Sequence, residues 1–226
     1  MKIVIASSNP HKLAEIRAVF DEASDPAPAV QLTGLLDIGC EAEEPVEDQP
    51  TFEGNAALKA RYYASATGCL VLADDSGLVV DALGGAPGVH SARYAGVTGP
   101  RDVVDTANNQ LLLQKLADTP PRQRTARFVC VMALCDPPVS GAAHDANGPA
   151  PVITQGQFEG RIIGPNESPR GNHGFGYDPL FYLPDLGKTS AELSPDHKNR
   201  ISHRGQAARC MRDVIAKQLH GIDTDE

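Results

Sequence analysis

Two adjacent carboxylates, Asp74 and Asp75, follow the apolar run 70–73 and precede Ser76-Gly77. A buried strand that ends in Asp-Asp and a Ser-Gly turn places acids at the mouth of an α/β sheet, where ligands usually bind. Side-by-side acids repel, so a divalent cation, basic groups or solvent must offset them. Ser7-Ser8-Asn9-Pro10-His11-Lys12 lies between a strand-like run and a helix-like one. A helix N-terminus there holds an anion through its open N–H groups, and Lys12 adds a point charge. In Gly171-Asn172-His173-Gly174-Phe175-Gly176-Tyr177-Asp178-Pro179 the glycines let backbone approach a ligand. The rings offer stacking faces and the Asp an acceptor for a base edge. Lys198, His203 and Arg204 form a basic cluster, and the last two fall in a first helical turn, where cations are unfavourable without a nearby anion or carbonyl. Each grouping also has a plainer reading: a polar turn, a capped helix, rings that plug a core, a solvated basic turn. Together they describe a site for a nucleoside phosphate, with an oxygen-only acid pair that selects Mg²⁺ or Mn²⁺ over softer metals.

The chain must supply elements to position these groups. Residues 2–6 read as a buried strand. Leu13, Ile16 and Phe20, at i, i+3 and i+7, predict a helix over 10–23, broken by Asp25-Pro26-Ala27-Pro28, with a short strand over 30–32. The stretch 37–49 is acidic and irregular, with Glu41, Glu43, Glu44, Glu47 and Asp48. Thr51 caps an Ala-rich helix over 55–67 that Gly68 stops. Beyond Ser76-Gly77 a second apolar run covers 78–83, and Gly84-Gly85-Ala86-Pro87-Gly88 is loop chemistry. A helix after Gly99-Pro100 carries Val104, Ala107 and Leu111 as its apolar face and ends near Asp118. Residues 125–135 read as a long strand, 137–151 as a hairpin loop and 152–163 as the returning strand. Ala208, Met211, Val214, Ile215 and Leu219 keep helical spacing in a last helix, capped by Ser202 and stopped by Gly221. Strands alternate with helices at both ends and cluster in the middle. The expectation is an α/β fold with a mixed central sheet flanked by helices, as a single unit over 1–226.

Composition narrows the classes. The chain has 226 residues, 41% hydrophobic and 22% charged, with 20 basic and 29 acidic side chains and a net charge of −9. That balance argues against a nucleic-acid coat and against anionic membranes, although Arg122, Arg124 and Arg127 could form a small basic patch. No apolar run approaches the ~18 residues of a membrane span, and the N-terminal run is too short for a signal peptide. Cys40, Cys69, Cys130, Cys135 and Cys210 are odd in number and contain no Cys-x-x-Cys pair, which reads as reduced thiols in a cytoplasmic protein.

The same residues carry a resemblance. The chain resembles the Ham1/RdgB-like family of inosine/xanthosine triphosphate pyrophosphatases over almost its whole length. Six ordered blocks carry it: Ser7 to Lys12; Thr51-Phe52-Glu53-Gly54-Asn55-Ala56 through Lys59-Ala60; Ala73-Asp74-Asp75-Ser76-Gly77-Leu78; Leu83-Gly84-Gly85-Ala86-Pro87-Gly88 with Ser91-Ala92-Arg93-Tyr94; Gly174-Phe175-Gly176-Tyr177-Asp178-Pro179; and Ser202-His203-Arg204-Gly205. The resemblance implies hydrolysis of ITP, dITP and XTP to the monophosphate and diphosphate. It implies a Mg²⁺ requirement (with Mn²⁺ as a substitute), a homodimer, and an elongated fold with its site in a cleft between lobes. By position, Asp75 is similar to the catalytic acid and metal ligand, with Glu47, five residues before Phe52, as the second metal ligand in preference to Glu44. Ser7, Ser8, Asn9, Pro10, His11, Lys12 and Lys59 are similar to the triphosphate cradle and Ser76 to a substrate-contacting serine. Phe175, Gly176, Tyr177, Asp178, Lys198, His203 and Arg204 are similar to the base pocket. The chain departs from the family pattern where Gly54 replaces a Glu, where Glu47-Asp48-Gln49 replaces Glu-Thr-Gly, and in a longer, peripheral 137–151 segment. Two other readings share these residues: a pyrophosphohydrolase for a damaged pyrimidine triphosphate, which a substrate panel separates, and a catalytically silent nucleotide binder, which tight binding without diphosphate release would reveal.

Overall fold

A computed structural model describes residues 1–22, 30–138 and 150–222. The breaker at 25–28, a helix end at Ala23 and most of the 137–151 loop lie outside the described residues. In chain order the elements are β1 (Lys2–Ala6), α1 (Pro10–Asp21), β2 (Gln31–Gly34), α2 (Phe52–Thr67), β3 (Val71–Val80), α3 (Arg101–Lys115), β4 (Thr125–Cys135), β5 (Val152–Ile162), β6 (Phe181–Leu183), β7 (Lys188–Thr189), α4 (Pro195–Ile201) and α5 (His203–Ile222). Seven strands form one sheet in the order β2-β1-β3-β4-β5-β6-β7. Strand β1 runs parallel to β2 and β3, whereas β5, β6 and β7 are antiparallel in turn. The sheet is mixed and the class is α/β, as the alternation of elements implies.

The chain divides into two compact units. One comprises Met1–Asp75, Cys130–Gly156 and the chain from Arg204 onward; the other comprises Ser76–Val129 and Gln157–His203. Each has its own apolar core. The first packs Ile3, Ile5, Ile16, Leu72, Met132 and Met211. The second packs Leu78, Leu112, Leu116, Phe158, Ile162 and Phe181. Truncating a fully buried leucine in such a core costs about 2–5 kcal/mol.

The largest departure from the sequence reading is β3. A turn at Ser76-Gly77 is expected, yet the strand runs unbroken from Val71 to Val80 with Asp74, Asp75, Ser76 and Gly77 inside it. Gly77 is there for close approach, not for turning: a Cβ on it would lie 2.4 Å from Ser91 Oγ and 2.5 Å from the Gly88 carbonyl. The Ser91 hydroxyl accepts from the Leu78 N–H at 2.8 Å and donates to Gly88 O at 2.6 Å. The crossing segment thus ties the middle of the strand down.

Three smaller differences follow from buried polar groups. On α3 the inward residues are Asn108, Leu112 and, just past its end, Leu116, one position on from the expected Val104, Ala107, Leu111 stripe. Asn108 tolerates burial because its amide accepts from Ala95 N–H at 2.8 Å and donates to Ala92 O at 3.2 Å. Residues 195–201 form α4, begun by Ser194 and Pro195, rather than a basic turn. The expected patch of Arg122, Arg124 and Arg127 does not form. Arg124 is buried and donates to the carbonyls of Leu116, Thr119 and Ile163, while Arg127 pairs with Asp81 at 3.0 Å. Helix α5 continues through Gly221.

Candidate active site

Period-2 geometry separates the two acids of β3, since successive strand residues point to opposite faces. Asp74 accepts from Lys12 Nζ at 3.0 Å and lies 3.5 Å from Arg204 Nε. Asp75 accepts from Asn55 Nδ2 at 3.1 Å. Both carboxylates are buried, but their environments push them apart. Burial raises the pKa of Asp74, and Lys12, Arg204 and Lys59 together outweigh it, so the group sits well below the usual carboxylate range. Burial raises Asp75 too, and the nearby negative charge of Glu47 adds to it. Lys59, Lys12 and Asn55 oppose only part of this, so Asp75 stays above the ordinary value. Basic groups thus neutralise the first acid, while the second is the raised carboxyl expected of a proton acceptor.

Helix α2 explains how those partners arrive. Thr51 caps it by accepting from Gly54 N–H at 3.0 Å, and Gly68 ends it in the left-handed region. Its inward stripe, Asn55, Lys59 and Tyr63 beside Ala56, Ala60 and Ala64, is apolar apart from the Tyr63 hydroxyl and two polar residues that serve the site. Lys59 Nζ pairs with Glu47 Oε1 at 2.5 Å. Burial lowers its pKa, but Asp74, Asp75 and Glu47 more than compensate, so it is held protonated. Glu47 is half-buried, whereas Glu44 is exposed. Ser7 to Lys12 joins β1 to α1. Asn9 caps the helix by accepting from His11 N–H at 3.0 Å, Ser7 Oγ accepts from Asn9 N–H at 3.2 Å, Pro10 opens the first turn, and Ser8 and His11 are exposed. Ser76 follows Asp75 along β3 and is partly exposed.

The glycine-aromatic segment is organised around Asp178 in the second unit. Its Oδ2 accepts from Lys198 Nζ at 2.6 Å and from Phe175 N–H at 2.9 Å, and its Oδ1 accepts from Ser190 Oγ at 2.8 Å. Asp178 was expected to meet a base edge, but it is buried with both oxygens engaged, so it sets the position of Lys198 and of the turn. Gly174 is dictated twice, by φ +77 and by an added Cβ that would lie 2.0 Å from Asp178 Oδ2. Tyr177 also differs from expectation. Its ring is buried in the core and its hydroxyl donates to Ser91 O at 2.8 Å, so it anchors the turn and offers no stacking face. Phe175 remains half-buried, with Lys198 Nζ 5.4 Å and Arg101 Cζ 5.6 Å from its ring centre. His203 stacks on Phe128, with centroids 4.9 Å apart and planes at 14°.

Arg204 belongs to the other unit. It is buried in the first unit and its guanidinium pairs with Glu15 and with Asp74. The basic trio expected from the sequence is therefore divided, with Lys198 and His203 in one unit and Arg204 in the other. Sequence reasoning gave no role to Glu15, Asn55, Ser190 or Asp105. Glu15 carried a signal, since it lies one helical turn beyond Lys12. Asn55 carried another, as a polar residue on the inward stripe of an Ala-rich helix.

Among the described residues no group of three or more His, Cys, Asp or Glu side chains could hold a metal. The donor set does fit a hard cation: Glu47 and Asp75 offer only oxygens, and their mutual repulsion raises Asp75. Mg²⁺ commonly takes one or two carboxylates and completes its shell with water and phosphate oxygens.

Residues 3–214 match the family model described as the Ham1 family. The dITP/XTP pyrophosphatase of Leuconostoc mesenteroides is 47% identical over 222 residues, covering 98% of this chain and 100% of its own. That of Exiguobacterium sibiricum is 46% identical over 219 residues, covering 97% and 99%. Among solved structures, a HAM1 protein from Coxiella burnetii superposes with a TM-score of 0.78 at 40% identity, covering 96% of this chain and 99% of that one.

Proposed function

The chain belongs to the Ham1 family, and from that premise we propose that it is a nucleoside-triphosphate pyrophosphohydrolase acting on non-canonical purine nucleotides. Water attacks the α-phosphorus of ITP, dITP or XTP, the bond to the bridging oxygen breaks, and the products are the monophosphate and diphosphate. The observation that carries the reading is Asp75: a buried, raised carboxyl oriented by Asn55, with Lys12 and Lys59 close enough to offset its charge. Asp75 accepts the proton of the attacking water. Lys12 and Lys59 balance charge on the departing diphosphate, with the positive end of the α1 dipole beside Lys12. Glu47 and Asp75 would hold Mg²⁺, which when bound polarises the phosphoryl group and offsets developing charge.

Base selection falls to Phe175 as the stacking face and to Lys198 and His203 as donors to a 6-oxo oxygen. The 6-amino group of adenine leaves such donors unpaired, and a site built on that hydrogen bond rejects the wrong base strongly. That none of the five cysteines is in a disulfide fits a reducing, cytoplasmic setting. The resemblance adds a homodimer, which sedimentation velocity tests.

The deciding experiment is diphosphate release from ITP, XTP, GTP and ATP with and without Mg²⁺. Rapid, Mg²⁺-dependent release from ITP and XTP and slow release from ATP is expected. Asp75→Asn should abolish it while preserving the fold. Equal release from ATP overturns the base assignment, and normal turnover by Asp75→Asn overturns the catalytic one.

A further inference from the structure

Helix α3 makes an unusual set of contacts with the Phe175 turn. Arg101, Asp105 and Asn109 recur every four residues and therefore share one face of the helix. Asp105 Oδ2 accepts from Gly176 N–H at 3.0 Å, and Asn109 Nδ2 donates to Gly176 O at 3.0 Å. Both backbone groups of Gly176 are thus held by side chains of a single helix, one turn apart. Gly176 has φ +61, a conformation that leaves the turn on both sides of it dependent on what fixes that residue. Asp105 Oδ1 also accepts from Arg101 Nε at 3.0 Å, which aims the guanidinium at the Phe175 ring.

We propose that the Arg101, Asp105 and Asn109 face of α3 is a specificity-determining template that sets the height and tilt of the Phe175 ring, and so the base selectivity of the enzyme. The proposal rests on the reading of Phe175 as the base-stacking face. Two supports bear on the ring. Asp178 holds the Phe175 N–H and brings Lys198 to one cation contact. The α3 face holds the next residue and brings Arg101 to the other. Since Asp178 has both oxygens engaged, α3 supplies the constraint that Asp178 cannot. The three α3 residues act on the turn through Gly176 and the Phe175 ring, so their effect should fall on base recognition. They act as positioning residues, and the measurable consequence is in KM and in the ratio of purines accepted, not in the rate at saturation.

The test uses the full-length chain and steady-state diphosphate release from ITP, XTP and ATP. Asp105→Ala loses the Gly176 acceptor and the Arg101 orienter. It should raise KM for ITP about tenfold and narrow the ITP-to-ATP preference by a similar factor, the scale of one or two hydrogen bonds, with kcat for ITP within about threefold of the parent. Asp105→Asn keeps an acceptor oxygen and should recover most of the KM. Arg101→Ala, at a half-exposed position, should leave the fold intact and still narrow the preference. A fall in kcat with an unchanged purine ratio, or a normal ratio in Asp105→Ala and Arg101→Ala, overturns the proposal. Phe175→Ala separates the two readings. If it collapses the purine ratio while the α3 variants do not, the template fails and the stacking face survives. If it changes nothing, the stacking face fails and takes the template with it.

Discussion

Asn55 contributes one amide to two places at once. Its Nδ2 donates to Asp75 Oδ2 at 3.1 Å, and its Oδ1 accepts from Gln49 N–H at 3.0 Å, so one residue of α2 ties down both the acid on β3 and the segment carrying Glu47. Removing it loosens the placement of Asp75 and of the segment that carries Glu47. Asn55→Ala should lower kcat by about ten- to a hundredfold, the range seen when a partner that orients a ligating or catalytic group is lost. It should also destabilise the fold by about 1–3 kcal/mol through buried groups left unpaired. Parallel kinetics and thermal melts check this, and a stable variant with parental kcat would show that Asp75 needs no orienting. Glu167 makes a different, purely structural prediction. Its carboxylate accepts from Arg161 at 2.7 and 3.0 Å and from Gly164 N–H at 2.6 Å, and these bonds hold its pKa down to about 2. A depressed carboxylate stabilises the fold above its unfolded pKa near 4.5 and loses that contribution as pH falls through about 2. The melting temperatures of the parent and of Glu167→Gln should therefore differ at neutral pH and converge in strong acid. A gap that persists in acid would contradict the linkage.

At the scale of elements, the start of α2 shows how a departure from the family pattern can be accommodated. Where the resemblance leads one to expect Gly at 49 and Glu at 54, the chain has Gln49 and Gly54. A Cβ on Gly54 would lie 2.8 Å from Gln49 Cβ and 3.2 Å from Thr51 Oγ1. The two positions share one space, so the larger residue has moved from the helix to the preceding segment. Gly54→Glu alone should therefore destabilise by about 1–3 kcal/mol through overpacking. Adding Gln49→Gly should recover most of the loss, with a coupling energy of at least about 0.5 kcal/mol in a double-mutant cycle. Additive effects would refute the shared space. Elements set by local rules were legible in the sequence: β1 and β4 end where their apolar runs end, and α2 carries the Thr51 cap and Gly68 stop. Elements set by tertiary partners were not. Asp-Asp-Ser-Gly has poor β-propensity and reads as a turn, and only Ser91, Asn55 and Lys12 reveal why it stays in a strand. The partners of Tyr177 and Arg204 were illegible for a related reason, because a motif gives a residue's type and order but not the direction of its side chain.

For the molecule as a whole, the charge balance decides what can approach Asp75. The net charge is −9, and the buried cluster repeats that excess locally. Lys12, Lys59 and Arg204 face Glu15, Glu47, Asp74 and Asp75, three positive against four negative groups. A metal-free triphosphate meets a cluster that is already negative, so repulsion opposes it. A divalent cation held there would relieve the Glu47 and Asp75 repulsion and reverse the sign. Mg²⁺ should therefore bind the folded protein without nucleotide and stabilise it, because unfolding separates the two carboxylates. At a tenfold excess over its Kd the gain is about 1.4 kcal/mol, which corresponds to a rise of roughly 3–6 °C in Tm for a chain of this size. Asp75→Asn removes one ligand and one source of repulsion together, so its metal-free form should melt no lower than the parent and its response to Mg²⁺ should largely vanish. A parent Tm indifferent to Mg²⁺ would mean that the cation arrives only with the triphosphate. An equal rise in Asp75→Asn would place the bound ion elsewhere.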